Sequence, residues 1–200
     1  MYSAGSDKQS AAEKLRQVQV REDGSLSLVI VSDTHSAPHD RALEIIKGLQ
    51  PDAILHAGDI GDLQVLDGLS KVCPVYAVRG NIDNRLPELP DMLVFEILSK
   101  DRLVLRILML HVGVYGASLR ADAARKAQAH AASVVVCGHS HIPFIRNKGG
   151  LIVFNPGSMG PRRVGLPIVF GILKLTASDF RLNHIDCETG QAWVPPARCF

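Results

Sequence analysis

No stretch of this chain is apolar for long enough to cross a membrane, and neither sign of charge dominates it. The strongest apolar run, around Leu103–Leu110, is broken by Arg106 and falls far short of the roughly 20 residues a spanning helix needs. The first residues, MYSAGSDKQS, lack the apolar segment of a secretory signal. Lys and Arg number 22 against 20 Asp and Glu, a formal charge of +2, and aromatics make up only 5%. A nucleic-acid binder is expected to show a basic excess or an aromatic stacking platform, and neither is present. Cysteine is scarce: Cys73, Cys137, Cys187 and Cys199 stand apart, with no CxxC pair, and read as reduced thiols. These absences point away from membrane, secreted and nucleic-acid classes and toward a cytoplasmic protein. What remains is ordinary globular material, 46% apolar and 21% charged over 200 residues, enough for one domain with a sizeable core.

The apolar pattern divides the chain. Residues 1–24 are polar, and Ser10-Ala11-Ala12-Glu13 has the form of a capping box. That segment reads either as a short helix from Ala11 to about Val20 or as a flexible extension. Residues 25–190 read as the domain, and residues 191–200, with Pro195-Pro196, as a fraying tail. Leu28–Val31, Ala53–Ala57 and Val75–Val78 read as strands separated by helices at about His39–Leu49 and Leu63–Leu69. That rhythm calls for right-handed crossovers and a parallel sheet. Met92–Leu98 with Leu103–Leu110, Ile142–Arg146 with Leu151–Phe154, and Ile168–Leu175 with Phe180–Asp186 read as antiparallel pairs. An alanine-rich helix, Leu119–Ala132, precedes a strand at Val134–Cys137. About ten strands are too many for one small sheet, so two stacked sheets with helices outside are expected.

Chemistry-bearing residues gather at the ends of these strands. Asp33 and His35 follow the first strand, Asp59 and Asp62 the second, Asn81 and Asp83 the third. His111 ends Leu103–Leu110, and His139 and His141 follow Val134–Cys137. The carboxyl ends of parallel strands line the crevice where α/β folds place ligands. One such aspartate is commonly a helix cap. Five strand ends carrying Asp, Asn or His, and holding four of the eight histidines, exceed what capping explains. On extended chain, residues two apart face the same way, and the α-carbons of His139 and His141 would lie about 6.5 Å apart. That spacing suits one imidazole on each of two metals roughly 3.5–4 Å apart. His56, three residues before Asp59, is a candidate to support a ligand rather than be one.

The order Asp-x-His, Gly-Asp-x-x-Asp, Gly-Asn-x-Asp, His, Gly-His-x-His resembles the calcineurin-like metallophosphoesterase superfamily across residues 26–186. Val78-Arg79-Gly80-Asn81 and Asn155-Pro156-Gly157-Ser158 resemble its small prokaryotic phosphodiesterase branch, the YfcE-like proteins. The resemblance implies a four-layer αββα sandwich of two mixed β-sheets flanked by helices. It implies one divalent ion on Asp33, His35 and His141, a second on Asn81, His111 and His139, and Asp59 bridging them. A metal-bridging hydroxide would attack the phosphorus of a small phosphoester, a diester in preference to a monoester. Carboxylate, amide and imidazole donors without thiolate suit Mn²⁺, with Fe²⁺, Ni²⁺ and Zn²⁺ as alternatives. Asn81 and Asp83 are the candidate catalytic residues besides the ligands, and Arg79 and Arg162, with Arg163, the candidate phosphate contacts. The chain departs from the wider superfamily in two places. Ile82 stands where many members have a histidine that assists the leaving group, and Val112-Gly113 follows His111 where glycine would follow directly. A similar fold serves as the scaffold subunit of retromer, so a non-catalytic interaction module is the alternative. Oligomeric state stays open, a dimer included.

Overall fold

Leu28, Val29, Ile30 and Val31 are all fully buried, yet they belong to two different cores: Leu28 and Ile30 to one, Val29 and Val31 to the other. Side chains of a strand alternate between faces, so an unbroken apolar run means that both faces are covered. The computed structural model, which describes residues 13–84, 86–116 and 118–195, shows this arrangement at the central strands of two sheets.

In chain order the elements are β1 (Glu13–Gln19), β2 (Leu26–Val31), α1 (Ala42–Leu49), β3 (Ala53–His56), α2 (Gln64–Ser70), β4 (Val75–Ala77), β5 (Met92–Ser99) and β6 (Arg102–Leu110). A small hairpin follows, β7 (Val114–Tyr115) and β8 (Ser118–Leu119), then α3 (Ala121–Ala129) and β9 (Val134–Val136). The chain continues through β10 (Phe144–Lys148), β11 (Leu151–Asn155), β12 (Val169–Leu175), β13 (Phe180–Asp186) and β14 (Ala192–Trp193). One six-stranded sheet has the order β1-β5-β6-β9-β11-β10, the other β14-β13-β12-β2-β3-β4. Both are mixed. β2, β3 and β4 run parallel in one sheet, and β6, β9 and β11 run parallel in the other.

Between the sheets lie Leu28, Ile30, Leu55, Phe95, Ile107, Val134, Phe154 and Leu173. On the outer face of the second sheet, Ala42 and Ile46 of α1 and Val65 and Leu69 of α2 cover Val29, Val31 and Ile54. On the outer face of the first, Ala123 and Ala127 of α3 cover Val94, Leu108 and Val135. Their four-residue spacing puts two small side chains on one helix face, which lets α3 lie close to the sheet. The four-layer αββα sandwich is thus present, and the ten expected strands are joined by β1, β7, β8 and β14. Among the described residues no helix is long and apolar enough to cross a membrane.

Two expectations need correction. Residues 13–19 are neither a helix nor a loose extension: they form β1, paired in parallel with β5 from Glu13↔Met92 to Gln19↔Leu98. Glu, Lys, Arg and Gln favour helix in isolation. Here Val18 and Val20 pack on the inter-sheet core, while Gln17 Nε2 donates to Glu96 Oε2 (2.9 Å) and Lys14 Nζ to the Glu88 carbonyl (2.8 Å). Tertiary pairing overrides the local preference, and the charged exposed face suits an edge strand. Residues 11 and 12 of the expected helix lie outside the described residues. The start of the expected tail is also ordered, since Ala192 and Trp193 pair with Ile185 and His184. Its last five residues, 196–200, are again outside the described residues.

The double-sided burial makes a graded prediction. Phe95 is fully buried between the sheets, whereas Leu15 on β1 is 52% exposed. Phe95→Ala is expected to cost about 3–5 kcal/mol of unfolding free energy in urea denaturation. Leu15→Ala is expected to change it by no more than about 0.5 kcal/mol.

Candidate metal centre

Three of the five donor-bearing loops leave their strands through left-handed backbone. φ is +54° at Asp33, +45° at His35, +54° at Asp59, +68° at His139 and +60° at His141. The extended backbone expected for Asp33–His35 and for His139–His141 is therefore absent, because each chain turns sharply as it leaves the sheet. Asp and His tolerate this conformation better than most residues, though it still carries strain. The donor atoms fall into two groups. His141 joins Asp33 and His35, His139 joins Asp59 and His111, and within each set the ligand atoms lie within 4.8 Å of one another.

Asp59 stands between the sets. Its Oδ1 is 3.3 Å from His111 Nε2, and its Oδ2 is 3.7 Å from His35 Nε2. His141 Nε2 lies 3.3 Å from Asp33 Oδ1 and 3.3 Å from His35 Nε2. His111 Nδ1 donates to the Ala57 carbonyl (2.8 Å), which leaves the Nε2 lone pair free. Asn81 is exposed beside His111, in the same cleft. His111 Nε2 and His141 Nδ1 are buried with no hydrogen-bond partner. Buried polar atoms are ordinarily satisfied, so the orphaned His111 Nε2, 3.3 Å from Asp59 Oδ1, fits a site built for cations. The donor set, two carboxylates and four imidazoles without thiolate, suits a pair of divalent ions.

Electrostatics agree. Burial opposes the charge on Asp59, but the nearby His111 (3.3 Å), the Ile82 N–H (3.2 Å) and His35 outweigh it and hold the carboxyl well below its usual range. Burial lowers the His35 pKa, partly countered by Asp59. Burial works the same way on His111, yet Asp59 and Asp33 carry that pKa upward. The thiols take no part: burial pushes Cys137 and Cys187 up to about 12 and Cys73 up to about 11.

Backbone and side-chain bonds hold the loops together. Asp33 N donates to the Gly58 carbonyl, His35 N to that of Asp59 and Ser36 N to that of Ile60, lacing the first two loops. His139 N donates to both Asp33 oxygens (3.2 and 3.0 Å), tying one sheet to the other. Asp83, expected as a catalytic residue, is buried, and its oxygens accept N–H groups from Ile60, Gly61 and Gly80 at 2.8–3.1 Å. It clamps two loops rather than standing free as a proton donor. Asp62 is exposed and accepts from Gln64 N (3.0 Å) at the start of α2, as a turn residue does. Asn155 Nδ2 donates to the Gly138 carbonyl (2.8 Å) and Ser140 Oγ (3.1 Å), so it steadies the loop of His139 and His141. The glycines of these loops are dictated by space as well as by backbone. A Cβ on Gly80 would collide with the Asp59 backbone N, and one on Gly58 (φ +92°) would lie 2.7 Å from His111 Nδ1.

The arginines divide. Arg79 lines the cleft beside His111 and is paired with Asp91 through Nε (3.0 Å) and Nη2 (2.6 Å). Arg162 is half exposed and paired with Glu188 (2.6 Å). Its neighbour Arg163 is near enough for its charge to act on His35. One feature had no clear sequence signal, a cleft wall formed by Arg120, Asp122 and Lys126 along α3. His56, singled out in the sequence for its place before Asp59, lies in a buried chain in which Gly58 N donates to His56 Nδ1 (3.2 Å), His56 Nε2 to Thr34 Oγ1 (3.0 Å), and Thr34 Oγ1 to the Ile60 carbonyl (3.0 Å). His56 thereby supports the loop of Asp59 without facing the donor set.

Fold and donor arrangement together define a protein of the metallophosphoesterase class. The model of the calcineurin-like phosphoesterase superfamily domain matches residues 26–178, and the chain belongs to that superfamily. It is 34% identical over 175 residues to a probable metallophosphoesterase of Methanothermobacter thermautotrophicus, covering 84% of this chain and 94% of that protein. It is 26% identical over 168 residues to phosphodiesterase YfcE of Escherichia coli K12, covering 74% of this chain and 87% of the other. Vacuolar protein sorting 29 of Cryptosporidium parvum shares the fold, with a TM-score of 0.70 at 18% identity over 86% of this chain and 97% of that one.

Burial holds His56 neutral and pushes its pKa down to about 4, against 6.5 for the free side chain. The unfolded chain therefore binds the extra proton first, and the stability from neutral His56 is present above about pH 6.5 and lost as pH falls toward 4. Urea denaturation with a chelator present is expected to show a decline of up to about 1.4 kcal/mol per pH unit from this group. The decline is expected to be shallower in His56→Gln.

Proposed function

We propose that this protein hydrolyses phosphodiesters at a dinuclear divalent-metal centre. Asp33, His35 and His141 hold one ion, Asn81, His111 and His139 the other, and Asp59 bridges them. The observation that carries the reading is the place of Asp59, one carboxylate oxygen toward each histidine set. Two divalent ions bound there supply Lewis acidity toward a phosphoryl oxygen and a lower pKa for water, the chemistry of in-line displacement at phosphorus. Mn²⁺ is the proposed ion, with Fe²⁺, Ni²⁺ and Zn²⁺ in the same donor class.

The chain's own residues orient and select. The Ile82 N–H holds Asp59 in place while the Ile82 side chain, 47% exposed, offers no proton. Arg163, whose charge acts on His35, is the nearer of the 162–163 pair to attract an anionic substrate. Arg79 lines the cleft with its charge partly offset by Asp91. The name and sequence similarity of the phosphodiesterase relative support the diester as substrate. The alternative is a metal-binding interaction module without turnover. It draws on the missing proton donor at Ile82 and on the fold shared with vacuolar protein sorting 29.

Assay of bis(4-nitrophenyl) phosphate and 4-nitrophenyl phosphate, together with metal analysis, separates these readings. Asp59→Asn is expected to lower the metal content at both sites and to cut diester hydrolysis more than about 100-fold. Unchanged metal content and rate in that variant would remove Asp59 from the bridging role.

The missing acid makes a second prediction. General acid assistance is worth about 10²–10⁴-fold, chiefly for poor leaving groups. Rates across diesters of graded leaving-group pKa are expected to fall steeply in the native protein and less steeply in Ile82→His. A flat dependence in the native protein would mean that another group already supplies the proton.

A further inference from the structure

A cleft of about 800 Å³ opens from His111 and Asn81 toward the start of α3, far more space than the phosphoryl group alone requires. Arg79 and Asp91 form one wall, and Arg120, Asp122 and Lys126 form the other. Arg79 is paired with Asp91 and Arg120 with Asp122 (3.1 Å), so two of the three cations are largely compensated. Lys126 lies one helical turn beyond Asp122 and makes no side-chain hydrogen bond or ion pair among the described residues. Among the described residues no Phe, Tyr or Trp lines the cleft, so a nucleobase finds no stacking platform there. The walls offer amide, guanidinium and ammonium donors, with Leu110 and Val112 as the apolar members.

We infer that this cleft receives the second organic group of the diester, and that it favours a group carrying its own anion, a carboxylate or a phosphate, read by Lys126 and Arg120. The inference rests on the diesterase reading and adds a substrate class to it. An anion displaced from the reacting phosphorus along the cleft meets the uncompensated Lys126 and the unpaired N–H groups of Arg120. A cationic group meets the same charges with the opposite sign. A surface-cation contact of this kind is worth up to about 1 kcal/mol, or roughly fivefold in kcat/KM, and weakens with salt.

The test uses the Mn²⁺-loaded protein and four 4-nitrophenyl diesters with one leaving group and different second groups: propyl, 3-aminopropyl, 2-carboxyethyl and 3-phosphopropyl. The anionic esters are expected to exceed the propyl ester about fivefold in kcat/KM, with the aminopropyl ester below it, and the spread is expected to shrink at high salt. The better of the two anionic esters decides between carboxylate and phosphate. Lys126→Glu is expected to reverse the order. Arg181→Glu, a charge reversal at an 83% exposed side chain on β13 in the other sheet, is expected to preserve it. Equal kcat/KM across the four esters, or an order that Lys126→Glu does not change, would overturn the inference while leaving the diesterase reading intact. Failure to hydrolyse any of them, bis(4-nitrophenyl) phosphate included, would overturn both.

Discussion

Asp59 is the carboxylate that two histidine sets have in common, and much of the local structure exists to hold it still. It sits in left-handed backbone, gripped by the Ile82 N–H and laced to the first loop through the bond from His35 N to its carbonyl. Gly80 has to be a glycine because the Asp59 backbone occupies the space a side chain would need. His56 and Thr34 close the loop from beneath with a chain of bonds whose donors and acceptors are all matched. A carboxylate placed so close to several imidazoles has to be positioned to a fraction of an ångström, and a loop without these braces would not do it.

That positioning carries a cost. Five non-glycine residues of the centre adopt positive φ, and at roughly 1 kcal/mol or more each the strain is comparable with the net stability of a small domain. Two sheets buried on both faces supply the offset. Leu28 and Ile30 pack inward while Val29 and Val31 pack outward under α1 and α2, so every residue of that strand segment contributes burial. The rigidity this gives β2, β3, β6 and β9 lets their ends hold conformations that a loose scaffold would relax.

The binding geometry belongs to both sheets together. Asp33, His35, Asp59 and Asn81 leave the parallel strands of one sheet, and His111, His139 and His141 leave those of the other. The two bonds from His139 N to the Asp33 carboxylate, and that from His111 Nδ1 to the Ala57 carbonyl, join the sheets at the site. Asn155 extends the brace, since its carbonyl accepts from His184 Nε2 (2.7 Å) while its side chain steadies the turn of His139 and His141. Proteins that share the fold differ in name between phosphoesterase and sorting protein. In this chain, the intact donor set and the open polar cleft beside it carry the phosphoesterase reading.

Much of this was legible in the residues alone, for reasons of spacing and burial. Four-residue apolar runs such as Leu28–Val31 announce strands covered on both sides, and Asp or His placed immediately after such runs falls at a sheet's carboxyl end whatever the loop does next. The seven candidate donors were therefore readable in order. Other features depended on which distant groups came together. β1 was hidden because Glu, Lys, Arg and Gln prefer helix until β5 offers a partner, and its paired edge is a property of the sheet, not of residues 13–19. Asp83 looked like a reactive carboxylate because sequence shows its charge but not the N–H groups that occupy it. Arg162 and Arg163 are chemically identical in a sequence, and only the fold turns one to Glu188 and brings the other near His35. Local pattern determined the strands and the kinds of donor at their ends. Left-handed turns and long-range packing decided which donors come together, because φ at a loop residue and contact between two sheets are set by the whole fold.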